Sequence, residues 1–358
     1  MLDARLTRQM SVGMQTYVRE LVARLPRVAP DLRFCAVSNV DLDSPGVEVL
    51  RVSGSETANF SLGEQITLPR MMRERGDLAH FMSVYAPRFS SLPYVYTIHD
   101  LIHRRFPEYF SWKVPTYYRF VAGPVARGAR AVLTDARATV PDLHAHLGLR
   151  ESAARVVPLG VAENFRVDET SREPLALKTR ARFGLSASFF LYAGNHRKHK
   201  NLETLFDAWS RLEQPSDLVV TEGGPFAFDV DRYASRSGRI VLLGRVSEEE
   251  LVGLYAACAA VVQPSSYEGF GLSVLESMAA GATTIVAQTP ALLEVAGDAA
   301  MTFAPSDAAG LSQQLTAALA GGDIMDALRA RGRARAREFT WDRTASSTAD
   351  VYREALGA

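Results

Sequence analysis

The sequence predicts an α/β protein of two Rossmann-like domains, and three observations carry that expectation. At 358 residues the chain is too long for one ordinary hydrophobic core and fits two domains of ~150 residues or more. Short β-prone runs alternate with amphipathic helical stretches along nearly all of its length. One stretch, Ser265 to Gly281, has the strand, glycine loop and helix start by which such domains offer backbone N–H groups and a positive helix end to a phosphate.

That stretch organises the rest. An apolar run from Ala257 to Val262 ends at Gln263-Pro264 and reads as a buried strand. The loop after it holds Glu268, Gly269, Phe270 and Gly271, and from Leu272 the apolar positions Leu272, Leu275, Met278 and Ala279 recur at helical spacing. Glu268 and Glu276 frame the loop with seven residues between them. Carboxylates so close to an anion site suit hydroxyls better than phosphates, and a sugar nucleotide has both. Taken singly, Glu276 reads equally well as a solvated helix residue, and Gly269 and Gly271 as turn glycines. Taken together, the string resembles the Glu-x7-Glu signature of the family 4 retaining glycosyltransferases.

The resemblance implies the GT-B fold: two Rossmann-like domains facing each other across a cleft. Residues 1–165 would form the acceptor domain and 166–340 the nucleotide-sugar donor domain, with a C-terminal helix, 341–358, crossing back to the first. It implies that Glu268 holds hydroxyls of the donor sugar and that Glu276 grips the nucleotide ribose. The backbone of Gly269, Phe270, Gly271 and Leu272 would meet sugar and phosphate. The implied reaction moves a hexose from a GDP-, UDP- or dTDP-linked donor to a glycan, lipid-linked or small-molecule acceptor. Mannosyl or rhamnosyl transfer in bacterial surface-glycan synthesis is the leading case. Two other readings stay open: a GT-B enzyme that epimerises the sugar nucleotide itself, and a catalytically silent binding subunit.

Composition fits that class. Hydrophobic content of 47% with 22% charged residues is ordinary for a soluble α/β protein. The two cysteines, Cys35 and Cys258, lie in apolar runs, as expected in a reducing compartment. No apolar run reaches the ~18 residues of a membrane span and no signal peptide opens the chain, so the expected location is the cytoplasm. Net charge is zero, yet residues 1–160 carry 20 Lys+Arg against 15 Asp+Glu, leaving the first part at +5 and the remainder at −5. A mildly basic first half suits an anionic acceptor or peripheral contact with the inner face of a membrane, and is too weak for nucleic acid. No Asp-x-Asp pair stands in a credible loop and no His/Cys cluster has metal-ligand spacing, so no metal or other cofactor is expected.

In chain order, Met1 to Arg5 resembles the end of the family's first strand, with Met1 and Leu2 in place of its longer apolar run; a late start and an unusually short strand are the two readings. Gly13 then precedes an amphipathic helix with Tyr17, Leu21 and Leu25 on one face; in the family this glycine loop closes over donor phosphates and acceptor. Strands are expected at Phe34–Val37, Val47–Val52 and Leu78–Phe81, with a helix around Gln65–Glu74. The β-prone run Tyr94–Ile98 ends in His99-Asp100, at the carboxyl end of a strand, where open α/β sheets place ligands. A structural histidine is the competing reading; the resemblance assigns His99 to the donor sugar, on the cleft side with Asp100. His103 carries a weaker signal. Residues 104–120 mix aromatic and basic side chains, a surface suited to a bilayer interface or a saccharide. Their two prolines exclude one continuous helix, so a loop and helix packed over the cleft is the expectation. A strand at Ala131–Thr134 and a helix at Val140–Leu147 follow. At Ala136 the family usually has a serine.

Val156–Val161 resembles the segment that ends the family's first domain, and the polar stretch Asp168–Lys178 reads as linker and approach to a helix. The second unit starts at Phe189–Gly194. Asn195 to Asn201, with Arg197, Lys198, His199 and Lys200, leads into a helix bearing Leu202, Leu205, Phe206 and Trp209. Basic residues between a strand and a helix suit a pyrophosphate clamp. The resemblance assigns the diphosphate to Lys200; Asn195 stands where the family usually has an arginine, and Arg197 is the substitute. Strands at Leu218–Thr221 and Ile240–Gly244 follow, then a turn at Arg245-Val246 whose backbone the family uses for the base. Ser247 caps a helix beginning Glu248–Glu250. A strand at Thr283–Ala287 and a loop carrying Glu294 complete the expectation.

Overall fold

The structure, a computed structural model, describes residues 1–6, 10–42, 44–53, 61–111, 113–221, 223–233 and 238–357. Trp112, in the aromatic stretch read above, lies outside them. The chain divides into two compact units, Met1–Gly160 with Trp341–Ala358, and Val161–Thr340. The division falls ahead of the expected 165/166 boundary because Val161 pairs with Thr340, its N–H reaching the Phe339 carbonyl at 3.3 Å. Phe165 is accordingly buried in the second unit, 6.0 Å from the Tyr255 ring.

Among the described residues, unit one is built on a seven-stranded sheet: β1 (Leu2–Asp3), β2 (Phe34–Ser38), β3 (Val47–Arg51), β4 (Ala79–Phe81), β5 (Tyr94–Thr97), β6 (Ala131–Thr134) and β7 (Ala154–Val156). The order is β3-β2-β1-β4-β5-β6-β7, and the pairings are parallel. Central strands of such a sheet are covered on both faces, which is why β2, β4 and β6 read as uninterrupted buried runs. The helix Val12–Val28 buries Tyr17, Val18, Leu21, Val22 and Leu25. The C-terminal helix Trp341–Leu356 packs on it, with Trp341, Ala345, Ala349 and Tyr352 buried. A hydrogen-bonded chain anchors that helix to the sheet: the Tyr352 hydroxyl lies 2.6 Å from His80 Nδ1, His80 Nε2 lies 2.7 Å from Thr97 Oγ1, and the Tyr17 hydroxyl meets Thr97 at 3.1 Å. Burial, aided by the chain's amino terminus and His99, pushes the His80 imidazole down to about 3.

Unit two carries β8 (Phe189–Tyr192), β9 (Asp217–Thr221), β10 (Ile240–Gly244), β11 (Ala260–Gln263), β12 (Thr284–Ala287) and β13 (Met301–Phe303). Their order is β10-β9-β8-β11-β12-β13, again parallel. Its core gathers Phe190, Tyr192, Leu205, Phe206, Trp209, Val262 and Ile285. Two expectations need correction. Asp168–Lys178 is not linker: a helix runs from Glu169 to Phe183, and it looked like linker because only Ala176 and Thr179 of it are buried. Glu294 sits within the helix Pro290–Ala296, not in a loop. The strand order reverses between β8 and β11, so the loops leaving these two neighbours flank a crevice at their carboxyl ends.

Candidate active site

The loop after β8 and the loop after β11 are tied to each other by four polar contacts. Asn201, held at φ 54°, donates from Nδ2 to the Pro264 carbonyl at 3.1 Å. The Ser266 N–H and hydroxyl both donate to the His199 carbonyl, at 2.8 and 3.0 Å. Lys200 Nζ donates to Glu268 Oε1 at 2.6 Å, an ion pair whose side chains are 13% and 12% exposed. Residues far apart in sequence thus become one surface, with a cation and a carboxylate at its centre.

Gln263 ends β11 under that pair. Its Nε2 donates to Ser273 Oγ at 2.9 Å and reaches Glu268 Oε1 at 3.5 Å, while its buried Oε1 meets no hydrogen-bond donor. The helix Leu272–Ala279 begins directly after Gly271, as the apolar spacing predicts. Gly271 has φ 115°, and a Cβ there would stand 2.9 Å from Leu292 Cδ2; both the backbone and the close packing therefore require glycine. This turn aims the opening amides of the helix, which have no carbonyl one turn behind them, at the crevice. Phe270 is buried against Phe339, and Gly269 and Leu272 are half-buried at the rim. Glu276, one turn further on, accepts a hydrogen bond of 3.1 Å from the buried Tyr255 hydroxyl, which fixes its carboxylate.

The other predicted residues of this unit hold the loop in shape. The Asn195 carbonyl accepts from the Tyr192 hydroxyl at 2.6 Å, and its Oδ1 from the Arg197 N–H at 3.3 Å. The Arg197 side chain is exposed on the same loop. His199 is buried; burial first, then the charges of Lys200 and Arg197, hold its imidazole down to about 3, so it stays neutral beside the cations. Val246 is half-buried in the turn before the helix Glu248–Ala257, where Ser247 and Glu250 form the expected capping box. Among the described residues no three His, Cys, Asp or Glu side chains gather as metal ligands would.

In unit one, Gly13 is not in a loop: Ser11 caps the helix, accepting from Met14 N at 3.3 Å, and Gly13 is the helix's second residue. His99 follows β5 and is buried, with Nδ1 2.8 Å from Asp135 Oδ2 and Nε2 3.2 Å from the Met82 carbonyl. Burial opposes a charge on the ring, but Asp135, the carbonyl and nearby Asp100 outweigh it, and His99 titrates above an ordinary histidine. Both neighbours are hydrogen-bond acceptors, which favours the doubly protonated ring. Asp100 is half-buried and turns its carboxylate onto the Ile102 N–H at 2.9 Å. Ala136 is fully buried.

Sequence reasoning missed Gln263, Tyr255 and Asp135. Only Gln263 left a trace, as the one polar residue closing an apolar run immediately before Pro264.

Comparison with known proteins places the chain in a family. Residues 178–338 match the model of the group 1 glycosyl transferases and residues 12–165 that of glycosyltransferase family 4. An O-antigen chain mannosyltransferase B of Escherichia coli is 32% identical over 173 residues, 46% of this chain and 45% of that enzyme. The MMP alpha-(1->4)-mannosyltransferase of Mycolicibacterium hassiacum is 30% identical over 289 residues, 74% of this chain and 66% of that one. The chain therefore spans less than half the length of the first of these relatives. Among solved structures, Anabaena HepE in complex with UDP-glucose superposes with a TM-score of 0.77, 18% identity and 99% of both chains covered. WaaG, a glycosyltransferase involved in lipopolysaccharide biosynthesis, gives 0.74 at 15% identity, covering 98% of this chain and 99% of that one.

Proposed function

The chain belongs to the family 4 glycosyltransferases and has their GT-B fold, and from that premise we propose that it transfers a hexosyl group from a nucleoside diphosphate to a glycan or lipid-linked acceptor. Mannose is the leading candidate for the sugar, in keeping with the names of the two enzymes most relevant above. The observation that carries the reading is the junction of Lys200, Glu268, Gln263 and the Gly271 turn at the reversal of strand order.

Lys200 and Glu268 neutralise each other. A diphosphate entering the crevice competes for Lys200, and Glu268, relieved of it, accepts hydroxyls of the sugar. The helix end at Leu272 and the exposed Arg197 add positive potential where the leaving diphosphate gathers charge. Gly269 and Phe270 line the approach by their backbone. Glu276, oriented by Tyr255, takes the ribose hydroxyls, and the backbone at Val246 takes the base, with Asn195 holding the clamp loop. In unit one, His99 with Asp100 and the helix start at Gly13 are the candidates for contact with the sugar and the acceptor.

The reaction runs without a metal and with retention. The bond from the anomeric carbon to the diphosphate oxygen breaks as the acceptor oxygen bonds the same face of that carbon, and the acceptor proton passes to the departing phosphate oxygen. No covalent sugar forms on the protein. Turnover of GDP-, UDP- and dTDP-hexoses, assayed with and without EDTA, is the test. One donor should transfer its sugar with the anomeric configuration kept and no effect of the chelator. Isomerised sugar, donor bound without turnover, or an inverted product would each contradict the reading. A glycosyl adduct on Glu268, found by mass spectrometry, would overturn the single-step mechanism.

A further inference from the structure

Part of the aromatic and basic stretch 104–120 lines a cavity formed by residues other than those assigned to the donor site. On unit one, a cavity of about 540 Å3 is lined by Arg104, Tyr118, Arg119, Phe120, Arg127 and His146, among others, and by no carboxylate. Among the described residues no carboxylate forms an ion pair with these arginines. Arg104 Nε is buried and has no hydrogen-bond acceptor. Arg119 lies 5.4 Å over the Phe120 ring, and Arg127 donates from Nη1 to the Leu147 carbonyl, a neutral partner, at 2.8 Å. The nearby Asp142 is turned to Arg105, at 3.7 Å. His146 is held below its ordinary value by burial and, against the pull of Asp142, by Arg104 and Arg105, which marks the positive field of the site.

The backbone is shaped for this cavity as well. Between the helices Lys113–Tyr117 and Gly123–Gly128, residues Tyr118–Ala122 form a π-helical turn, closed by the Gly123 N–H on the Tyr118 carbonyl. Such turns are rare and concentrate at functional sites. This one sets Arg119 and Phe120 on the cavity wall. Gly123 has no room for a side chain: a Cβ would stand 2.9 Å from the Tyr118 carbonyl oxygen and 3.2 Å from Arg127 Nη1.

We propose that this cavity binds a phosphoryl group, with Arg104, Arg119 and Arg127 as its cations and Tyr118 and Phe120 flanking the less polar part of the molecule that carries it. Guanidinium groups bind phosphate oxygens through paired hydrogen bonds, and three of them around one opening with no acid favour a multiply charged oxyanion. The proposal is independent of the donor site, whose residues lie on the other unit.

Arginine modification by phenylglyoxal, read residue by residue by mass spectrometry on the full chain, tests it. Millimolar inorganic pyrophosphate, against sodium chloride of equal ionic strength, should slow modification of Arg104, Arg119 and Arg127 together by roughly tenfold. Occupation of the second unit by pyrophosphate does not confuse the result, because Arg197 reports on it separately. In a parallel arm, phosphatidylcholine vesicles containing phosphatidylglycerol are compared with pure phosphatidylcholine. Protection by pyrophosphate, by the phosphatidylglycerol vesicles alone, or by both supports the site, and the pattern says whether the phosphate is soluble or lipid-borne. In Arg119→Gln the protection of Arg104 and Arg127 should fall by a similar factor. Protection by neither probe, equal protection by sodium chloride or pure phosphatidylcholine, or full protection in Arg119→Gln would overturn it.

Discussion

Replacing Lys200 with methionine cuts the ion pair at the heart of the second unit and leaves Glu268 charged, with its side chain 12% exposed. At 2.6 Å and an effective dielectric constant of about 20, the attraction removed is on the order of 6 kcal/mol. Desolvation cancels most of that for the intact pair, so the pair itself is close to neutral for stability. Losing one partner is different, because the remaining carboxylate keeps its desolvation and loses its compensation, a cost of about 3 kcal/mol. With a urea dependence of ~2–3 kcal/mol per M, the unfolding midpoint followed on the buried Trp209 should drop by about 1 M. Lys200→Met/Glu268→Gln removes both charges and should recover most of the midpoint. Turnover should behave otherwise: both variants lose a cation from the leaving group, and kcat falls by about 10²–10³ in each. A single variant with an unchanged midpoint would refute the energetic reasoning. A double variant that regains turnover would refute the role of Lys200.

Other expectations follow from the same geometry. Glu276→Gln should keep the Tyr255 contact and bind the nucleoside diphosphate roughly tenfold more weakly by calorimetry; unchanged affinity would remove the ribose assignment. Gly271→Ala forces a side chain to φ 115° and against Leu292, costing about 1–2 kcal/mol or more, so calorimetry should show a melting temperature several degrees lower. An unshifted transition would mean the turn relaxes freely. Acid should destabilise the fold through His80. Unfolded, it takes a proton near 6.5; folded, it resists to about 3, so between those values the unfolded chain binds more protons and stability falls as pH falls. His199 acts in the same direction in the second unit. The slope should reach about 1.4 kcal/mol per pH unit for each, and a flat stability profile below pH 6.5 would contradict the buried neutral state of both.

Much of the architecture was legible because parallel strands buried on both faces leave apolar runs with sharp ends. Ala131–Thr134 as a strand and Val140–Leu147 as a helix have the bounds that the pattern predicts. The start of the helix at Leu272 was legible from a glycine followed by apolar residues at helical spacing. What failed was local polarity. Glu169–Phe183 is a helix whose two buried positions are Ala176 and Thr179, so its apolar stripe is too weak to read. Gly13 sits inside a helix because Ser11 takes the capping role one step earlier.

The candidate site divides along a similar line. Which residues crowd the crevice could be named from motif and spacing, but not how they pair. Lys200 and Glu268 stand 68 residues apart, and His99 and Asp135 stand 36 apart. Their contacts arise from strand order, which sequence periodicity does not encode. Tyr255 lies on the buried face of a helix, where an aromatic residue reads as core, and its hydroxyl reaches Glu276 only because that helix packs beside Leu272–Ala279.

A crystal of the chain grown with the sugar nucleotide that turnover assays select tests the central claim most directly. The account predicts the diphosphate within hydrogen-bonding distance of Lys200 Nζ and the first amides of the Leu272 helix, with Glu268 turned from Lys200 to the sugar and Glu276 on the ribose. Density for the nucleotide away from these residues, with the Lys200–Glu268 pair still closed, would contradict it.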